Sequence, residues 1–269
     1  MLRVKRLLAI SPVTFHARNY VKEGIKLFPV LRFQNPSQWS SCRFLDIYQI
    51  GSKEAIEKER ARLKDEMNRG YFADMAEMKQ HGGKIAMANK IVIPASAAAK
   101  FPVLEVNYSN GSSLKLPLTS NGNDENTPKL NVPKATLLCL SFRASSQPMV
   151  DSWSSPFLDT FGHSGDVQLY EISFIDSWLL SRNPIKKLLL KVMRKPKPGG
   201  TEGLLQRQIV YSFGDHYYFR KELRILNLLT GYIFLLDKMG RIRWQGFGSA
   251  KQEELLSLLS CTSLLLDEK

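Results

Sequence analysis

The spacing of apolar side chains along this 269-residue chain changes character near Phe101. Before it, residues 53–69 are strong helix formers with few apolar positions. Glu54 and Lys58 stand four apart, and Glu59 and Arg62 three apart, spacings that pair across a helix surface. A polar helix of this kind is expected to project into solvent. Gly70 breaks it, a second short helix runs to about Lys79, and Gly82-Gly83 stops that one. The run to Lys100 has weak periodicity and reads as a linker. From Phe101 the pattern becomes strand-like. Val103-Leu-Glu-Val and Leu114-Lys-Leu flank Asn110-Gly111, a hairpin turn signal, and residues 121–133 form a polar loop. Residues 135–142 are a continuous apolar strand of the kind buried on both faces. Residues 149–161 are helical in composition, with Pro156 as an interruption. Residues 167–174 and 208–213 are further strands, and 215–225 a helix with Asp215 as its N-cap. Residues 232–236 and 241–244 are strands joined by the tight turn Lys238-Met-Gly240. Ser249 is then expected to cap a last helix whose first turn carries Glu253.

Charge refines this picture. The chain carries 38 Lys+Arg against 25 Asp+Glu, a net +13, and that excess is concentrated. Residues 1–45 hold eight basic side chains and one acid, Glu23; residues 177–201 hold seven basic side chains and no acid. The remainder is nearly neutral, so the protein is not a uniformly cationic nucleic-acid binder. The leader has scattered hydroxyls and no apolar stretch after its first charges. It reads as a mitochondrial presequence covering residues 1–45, rather than a secretory signal. Residues 46–100 follow as helical extension and linker, and 101–269 as the folded domain. The longest apolar run, 225–236, is 12 residues long, too short for a bilayer span.

Metal and nucleophile motifs are absent from the pattern. Cys42, Cys139 and Cys261 are too far apart for a disulfide framework or a zinc pair, and the four histidines have no ligand-spaced partners. No metal and no cofactor are expected. Gly162-His-Ser-Gly165 lacks the flanking glycines of a nucleophile elbow, and no phosphate-cradling loop occurs.

Strand, helix, strand, helix, hairpin and closing helix resembles the order of a thioredoxin-like α/β layer fold, a mixed sheet with flanking helices. In such enzymes a Cys-x-x-Cys pair sits between the buried strand and the following helix. Here that place holds Ala144-Ser-Ser-Gln-Pro-Met149, which puts Ser146 and Met149 at the sulfur positions. The proline that precedes the hairpin in those enzymes is replaced by Thr230. Neither serine nor a thioether exchanges disulfides, so the chain looks like a redox-silent copy.

The hairpin block is more distinctive. Gly231-Tyr-Ile-Phe-Leu-Leu-Asp237, then Arg241-Ile-Arg-Trp244, Gly246, Gly248 and Ala250, resembles the mitochondrial ATP synthase assembly-factor-ten family. Tyr71-Phe-Ala-Asp-Met and Tyr211-Ser-Phe-Gly-Asp215 agree with it. The resemblance implies a peripheral factor on the matrix side of the inner mitochondrial membrane. Such factors help the channel subunit (subunit a) join the rotor ring. It implies no catalysis, with Gly231, Tyr232, Asp237, Arg241, Arg243 and Trp244 as the family-motif or client surface. Arg241 and Arg243, two apart on a strand, would share one face. That face could grip carboxylates or lipid phosphates, or could be merely solvated.

Residues 182–197 carry the clearest amphipathic signal. Asn183-Pro184 starts a helix in which Ile185, Leu188, Leu189 and Val192 share a side, with Lys186, Lys187, Lys191 and Arg194 pointing away and Trp178 just upstream. Two uses fit: a helix lying on an anionic membrane surface, or a helix packed on the core with a solvated charged side. The functional expectation is an assembly chaperone that is not an enzyme. The alternative is a thioredoxin-like thiol or peroxide enzyme, or a glutathione-binding relative, that uses Ser146. A copper-delivering relative would need Cys and His ligands that are missing here.

Overall fold

Residues 53–68, 70–80, 83–118, 132–177, 180–193 and 207–268 are described by the computed structural model, and all fall within the unit Ser40–Lys269. The expected leader, residues 1–45, lies outside the described residues, as do Trp178 and Arg194.

Helices α1 (Lys53–Asn68) and α2 (Tyr71–Gln80) form where the helix formers and glycine breaks place them. α1 is not a free projection into solvent, however. Arg62 is buried, forms an ion pair with Asp215 and lies 4.9 Å from the Tyr217 ring centre, while Tyr217 donates to Asp65 at 2.8 Å. On α2, Asp74 accepts the Leu228 N–H at 3.0 Å, and Asn227 donates to the Asp74 carbonyl and to Glu77. The polar side of the extension is thus matched by polar groups some 150 residues later, which no local pattern reveals.

The sheet has strands β1 (Leu104–Tyr108), β2 (Ser113–Leu116), β3 (Ala135–Ser141), β4 (Val167–Ile175), β5 (Arg207–Phe213), β6 (Gly231–Asp237) and β7 (Ile242–Phe247). Their order is β2-β1-β5-β4-β3-β6-β7, with β3, β4 and β5 parallel and the other neighbours antiparallel. β3 and β6 are buried along their whole length, as unbroken apolar runs require. Alternate side chains feed two cores. Leu137, Cys139, Ile233 and Leu235 face helices α3 (Gln147–Phe161) and α6 (Gln252–Asp267). Leu138, Leu140, Tyr232, Phe234 and Leu236 face the opposite layer, closed by Phe101, Ile225 and Phe219. Helices α4 (Asn183–Val192) and α5 (Tyr217–Glu222) complete the element order. The fold is thioredoxin-like: a parallel β3–α3–β4 unit, an antiparallel β6–β7 hairpin and the closing helix α6.

Three local expectations need correction. α3 continues through Pro156, because Trp153, Phe157 and Phe161 are all buried on one side. Burying each such side chain contributes about 1.5–3 kcal/mol, enough to offset the roughly 3 kcal/mol cost of an internal proline. Asp215 does accept the Tyr217 N–H at 3.1 Å, yet α5 is only six residues long. Arg224, at φ 55°, turns the chain so that Ile225 enters the core and donates to the Arg220 carbonyl. Ser249 does not cap the last helix. α6 begins at Gln252, where the Glu254 carboxylate accepts the Lys251 N–H at 3.1 Å, and the Ala250 N–H goes to Ser152 instead.

The segment before Phe101 is not a loose linker. It runs along β7, with the Asn89 N–H donating to Gln245, Ile93 to Arg243 and Ile242 to Ala99. The indole of Trp244 donates to the Asn89 carbonyl at 2.6 Å. This cover satisfies an edge strand that would otherwise invite pairing with another chain.

Candidate functional site

The carboxyl end of β3 leads through a 3-10 turn, Ala144–Ser146, straight into α3. Ser146 is wholly buried. Its Oγ lies 2.9 Å from Ser141 Oγ, and both hydroxyls reach the Arg143 carbonyl, at 2.8 and 3.0 Å. One turn on, the Met149 sulfur accepts a long contact of 3.9 Å from the hydroxyl of Thr230, itself wholly buried just before β6. A side chain on Gly231 would meet Val150 at 3.3 Å and Met149 at 3.5 Å, so strand and helix press together here. Ser146, Met149 and Thr230 therefore sit at one junction of α3 with β6. Their chemistry is poor for exchange: a hydroxyl locked into internal hydrogen bonds, a thioether and a threonine.

The two cysteines among the described residues do not replace them. Cys139, on β3, and Cys261, on α6, are free, buried thiols in the core between the sheet and helices α3 and α6. Burial pushes both thiols up from their ordinary values, Cys139 well above and with the negative charge of Glu171 adding to the effect. Neither supplies a thiolate. Among the described residues no group of His, Cys, Asp and Glu is placed to hold a metal ion.

Two polar networks escape the sequence. Beside α3, Arg207 from β5 bridges the buried Glu171, at 2.6 Å, and Asp151, while Gln147 donates to the same two carboxylates. At the ends of β4 and β5, Ser212 Oγ lies 2.8 Å from His216 Nε2, and His216 Nδ1 lies 2.6 Å from Asp176. Burial works against the Asp176 charge, but His216, with the charges of Arg220 and Arg143, together hold the carboxyl below its usual range. The order Ser–His–Asp is that of a hydrolytic relay, yet Ser212 is buried and donates to the Glu105 carbonyl at 3.0 Å. The group ties β5 to β1 and to the end of β4. His216 looks solitary in sequence because Asp176 is 40 residues away and is brought to it by strand pairing.

The hairpin residues expected as a contact surface are largely interior, which corrects that expectation. Gly231, Tyr232, Asp237, Arg243 and Trp244 are buried, and Arg241 is half-buried. Arg243 is the extra residue of a β-bulge: Leu235 pairs with Trp244 and Leu236 with Ile242. The bulge sends Ile242 and Trp244, two residues apart, into opposite cores, and both arginines reach Asp237. Its guanidinium grips Glu268 through two bonds, at 2.5 and 2.7 Å, reaches Asp237 at 3.4 Å and donates to the Ile93 carbonyl. Arg241 pairs with Asp237 at 2.7 Å. The carboxylates expected from a partner are therefore internal ones. Trp244 stacks edge-on with Trp153 at 5.6 Å, and any side chain at Gly246 would strike the Trp244 ring at 2.7 Å.

On α4, Leu190 is buried and Lys186 lies 5.1 Å from the Phe213 ring centre, while Lys187 and Lys191 are exposed. A further feature absent from the sequence reading is a shallow cleft of about 380 Å³ between α1 and α5. Lys58, Arg62, Lys64, Tyr217, Tyr218 and Lys221 line it.

These features define a thioredoxin-like protein whose exchange position holds no thiol. A family model described as ATP10 protein matches residues 29–265, so the chain belongs to that family, which is one of ATP synthase assembly factors. The chain accordingly acts in ATP synthase assembly. No curated protein matches it in sequence. Among solved structures it is similar to a thiol-disulfide oxidoreductase from Bacteroides fragilis, with 17% identity, TM-score 0.37, and 60% of this chain and 98% of that one covered. It is also similar to the thioredoxin domain of an oxidoreductase from Bacteroides vulgatus, with 13% identity, TM-score 0.36, and coverage of 61% and 94%. A third is BsSco, a member of the Sco family of cytochrome c oxidase assembly proteins, with 11% identity, TM-score 0.40, and coverage of 67% and 100%.

Proposed function

We propose that this protein is a non-enzymatic assembly chaperone for the membrane sector of the mitochondrial F-type ATP synthase. In this reading it holds the newly made channel subunit a until that subunit joins the rotor ring. It works as a peripheral protein on the matrix side of the inner membrane. The observation that carries the proposal is the packed junction of Ser146, Met149 and Thr230, where the sulfur chemistry of the fold has no attacking atom. What remains is shape and surface. Family membership supports the assembly role, and no helix among the described residues is long and apolar enough to cross a membrane.

A thiol or peroxide enzyme using Ser146 would need that hydroxyl to meet substrate, and its burial counts against this. The test is complementation of a strain lacking the protein. Ser146→Ala is expected to restore assembled ATP synthase, and crosslinking during synthesis should recover subunit a. Purified protein should show no thiol or peroxide turnover. A turnover that Ser146→Ala abolishes, together with failure to recover subunit a, would overturn the proposal.

A further inference from the structure

Helix α4 turns its apolar side outward. Successive residues lie about 100° apart around a helix, so Leu190, buried, and Lys186, over the Phe213 ring, mark the inner side. Half a turn away Leu188 is 64% exposed and Val192, four residues on, is 75% exposed. Ile185 precedes them on that side and is half-buried. Lys187 and Lys191, both exposed and also four apart, run alongside the stripe. An amphipathic helix on a water-soluble layer normally does the reverse, because uncovered apolar area keeps its hydration cost.

Charge decides what covers it. Residues 177–201 contain seven basic side chains and no acid. An apolar client helix would strand Lys187 and Lys191 against a surface with nothing to pair them. An anionic leaflet satisfies both parts at once: the apolar side chains enter the boundary of the acyl region, and the lysine stems extend so that their ammonium groups meet lipid phosphates.

We propose that α4 docks this protein on an anionic bilayer, with Leu188 and Val192 inserted and Lys187 and Lys191 paired to lipid phosphate. This rests on the peripheral-membrane part of the function proposed above. The test uses the full chain with Leu188→Cys carrying an environment-sensitive fluorophore, and Lys238→Cys, on the exposed β6–β7 turn, as a reference. Vesicles are phosphatidylcholine alone or phosphatidylcholine with phosphatidylglycerol. The fluorophore at 188 is expected to shift to the blue with the anionic vesicles only, and the one at 238 to stay in water. Adding Lys187→Gln and Lys191→Gln should weaken the partition read at 188 by about thirtyfold, from roughly 1 kcal/mol per basic residue near the surface. These side chains are exposed, and an unchanged circular dichroism melt confirms the fold of each variant. If the protein floats with vesicles while position 188 stays in water, the α4 assignment falls and the peripheral reading stands. If nothing floats, both fall. A photoreactive residue at 188 that joins a polypeptide rather than lipid in mitochondria overturns the proposal in favour of a client helix.

Discussion

The guanidinium of Arg243 holds both carboxylate oxygens of Glu268, at 2.5 and 2.7 Å, and so ties the bulge of the last strand to the residue that ends the last helix. Arg243 is 2% exposed, whereas the Glu268 side chain is 48% exposed. The two ends of this clasp are therefore unequal. Arg243→Ala empties a buried site and unpairs the Ile93 carbonyl, while Asp237 keeps Arg241 and two backbone N–H groups, and should cost about 2–3 kcal/mol. Glu268→Ala should cost about 1 kcal/mol, because solvent and Asp237 still satisfy the arginine. Urea unfolding of the two variants checks the asymmetry; equal losses would show that the buried arginine matters only through Glu268.

Gly246 is required by its neighbours rather than by its own backbone. A methyl group there would sit 2.7 and 2.9 Å from the Trp244 ring and 3.3 Å from Trp153. The ring cannot retreat, since its indole N–H donates to Asn89 and its face meets Trp153. Gly246→Ala is expected to destabilise by about 1–3 kcal/mol, as overpacked cores do. A lowered thermal midpoint, with a changed near-ultraviolet tryptophan signal, is the readout.

Asp176 gives the protein an acid-sensitive joint. Burial opposes its charge, but His216, then Arg220 and Arg143, lower its pKa below the ordinary carboxylate value. A depressed carboxylate contributes stability that is present above its unfolded pKa, near 3.9, and lost as pH falls through its folded value. Asp176→Asn should therefore be less stable at neutral pH and lose less stability below about pH 4. Denaturant midpoints measured from pH 7 down to pH 3 would show the two curves converging.

Arg224 holds a left-handed backbone, φ 55°, without being glycine. That conformation costs a residue with a Cβ about 1 kcal/mol. Arg224 is exposed, so Arg224→Gly removes the strain and little else. Set against the roughly 0.4–1 kcal/mol that the extra freedom of glycine gives the unfolded chain, a net rise of at most about 0.6 kcal/mol in unfolding free energy is expected. A loss of stability would mean that the arginine side chain contributes more than the strain it carries.

The order of elements was legible in the sequence because each depends on its own residues. The apolar run of β3 and β6, the Asn110-Gly111 turn and the helix formers of α1 all act over a few positions. So was the absence of thiols between β3 and α3, since a missing side chain needs no geometry to be noticed. Tertiary structure decided which residues face outward. The two-residue period of a strand puts Arg241 and Arg243 together, but does not show that both turn to the internal Asp237, or that one bulged residue opposite Leu235 and Leu236 sends Ile242 and Trp244 to opposite cores. Helical periodicity groups Ile185, Leu188 and Val192, but cannot say on which side the protein lies; Leu190 and Phe213 settle that. Asp176, Asp215 and Leu228, which meet His216, Arg62 and Asp74, lie 40 to 154 residues from them. Local propensity fixes dihedral angles, whereas burial is a property of the assembled layers, and it appears only when distant strands and helices have met.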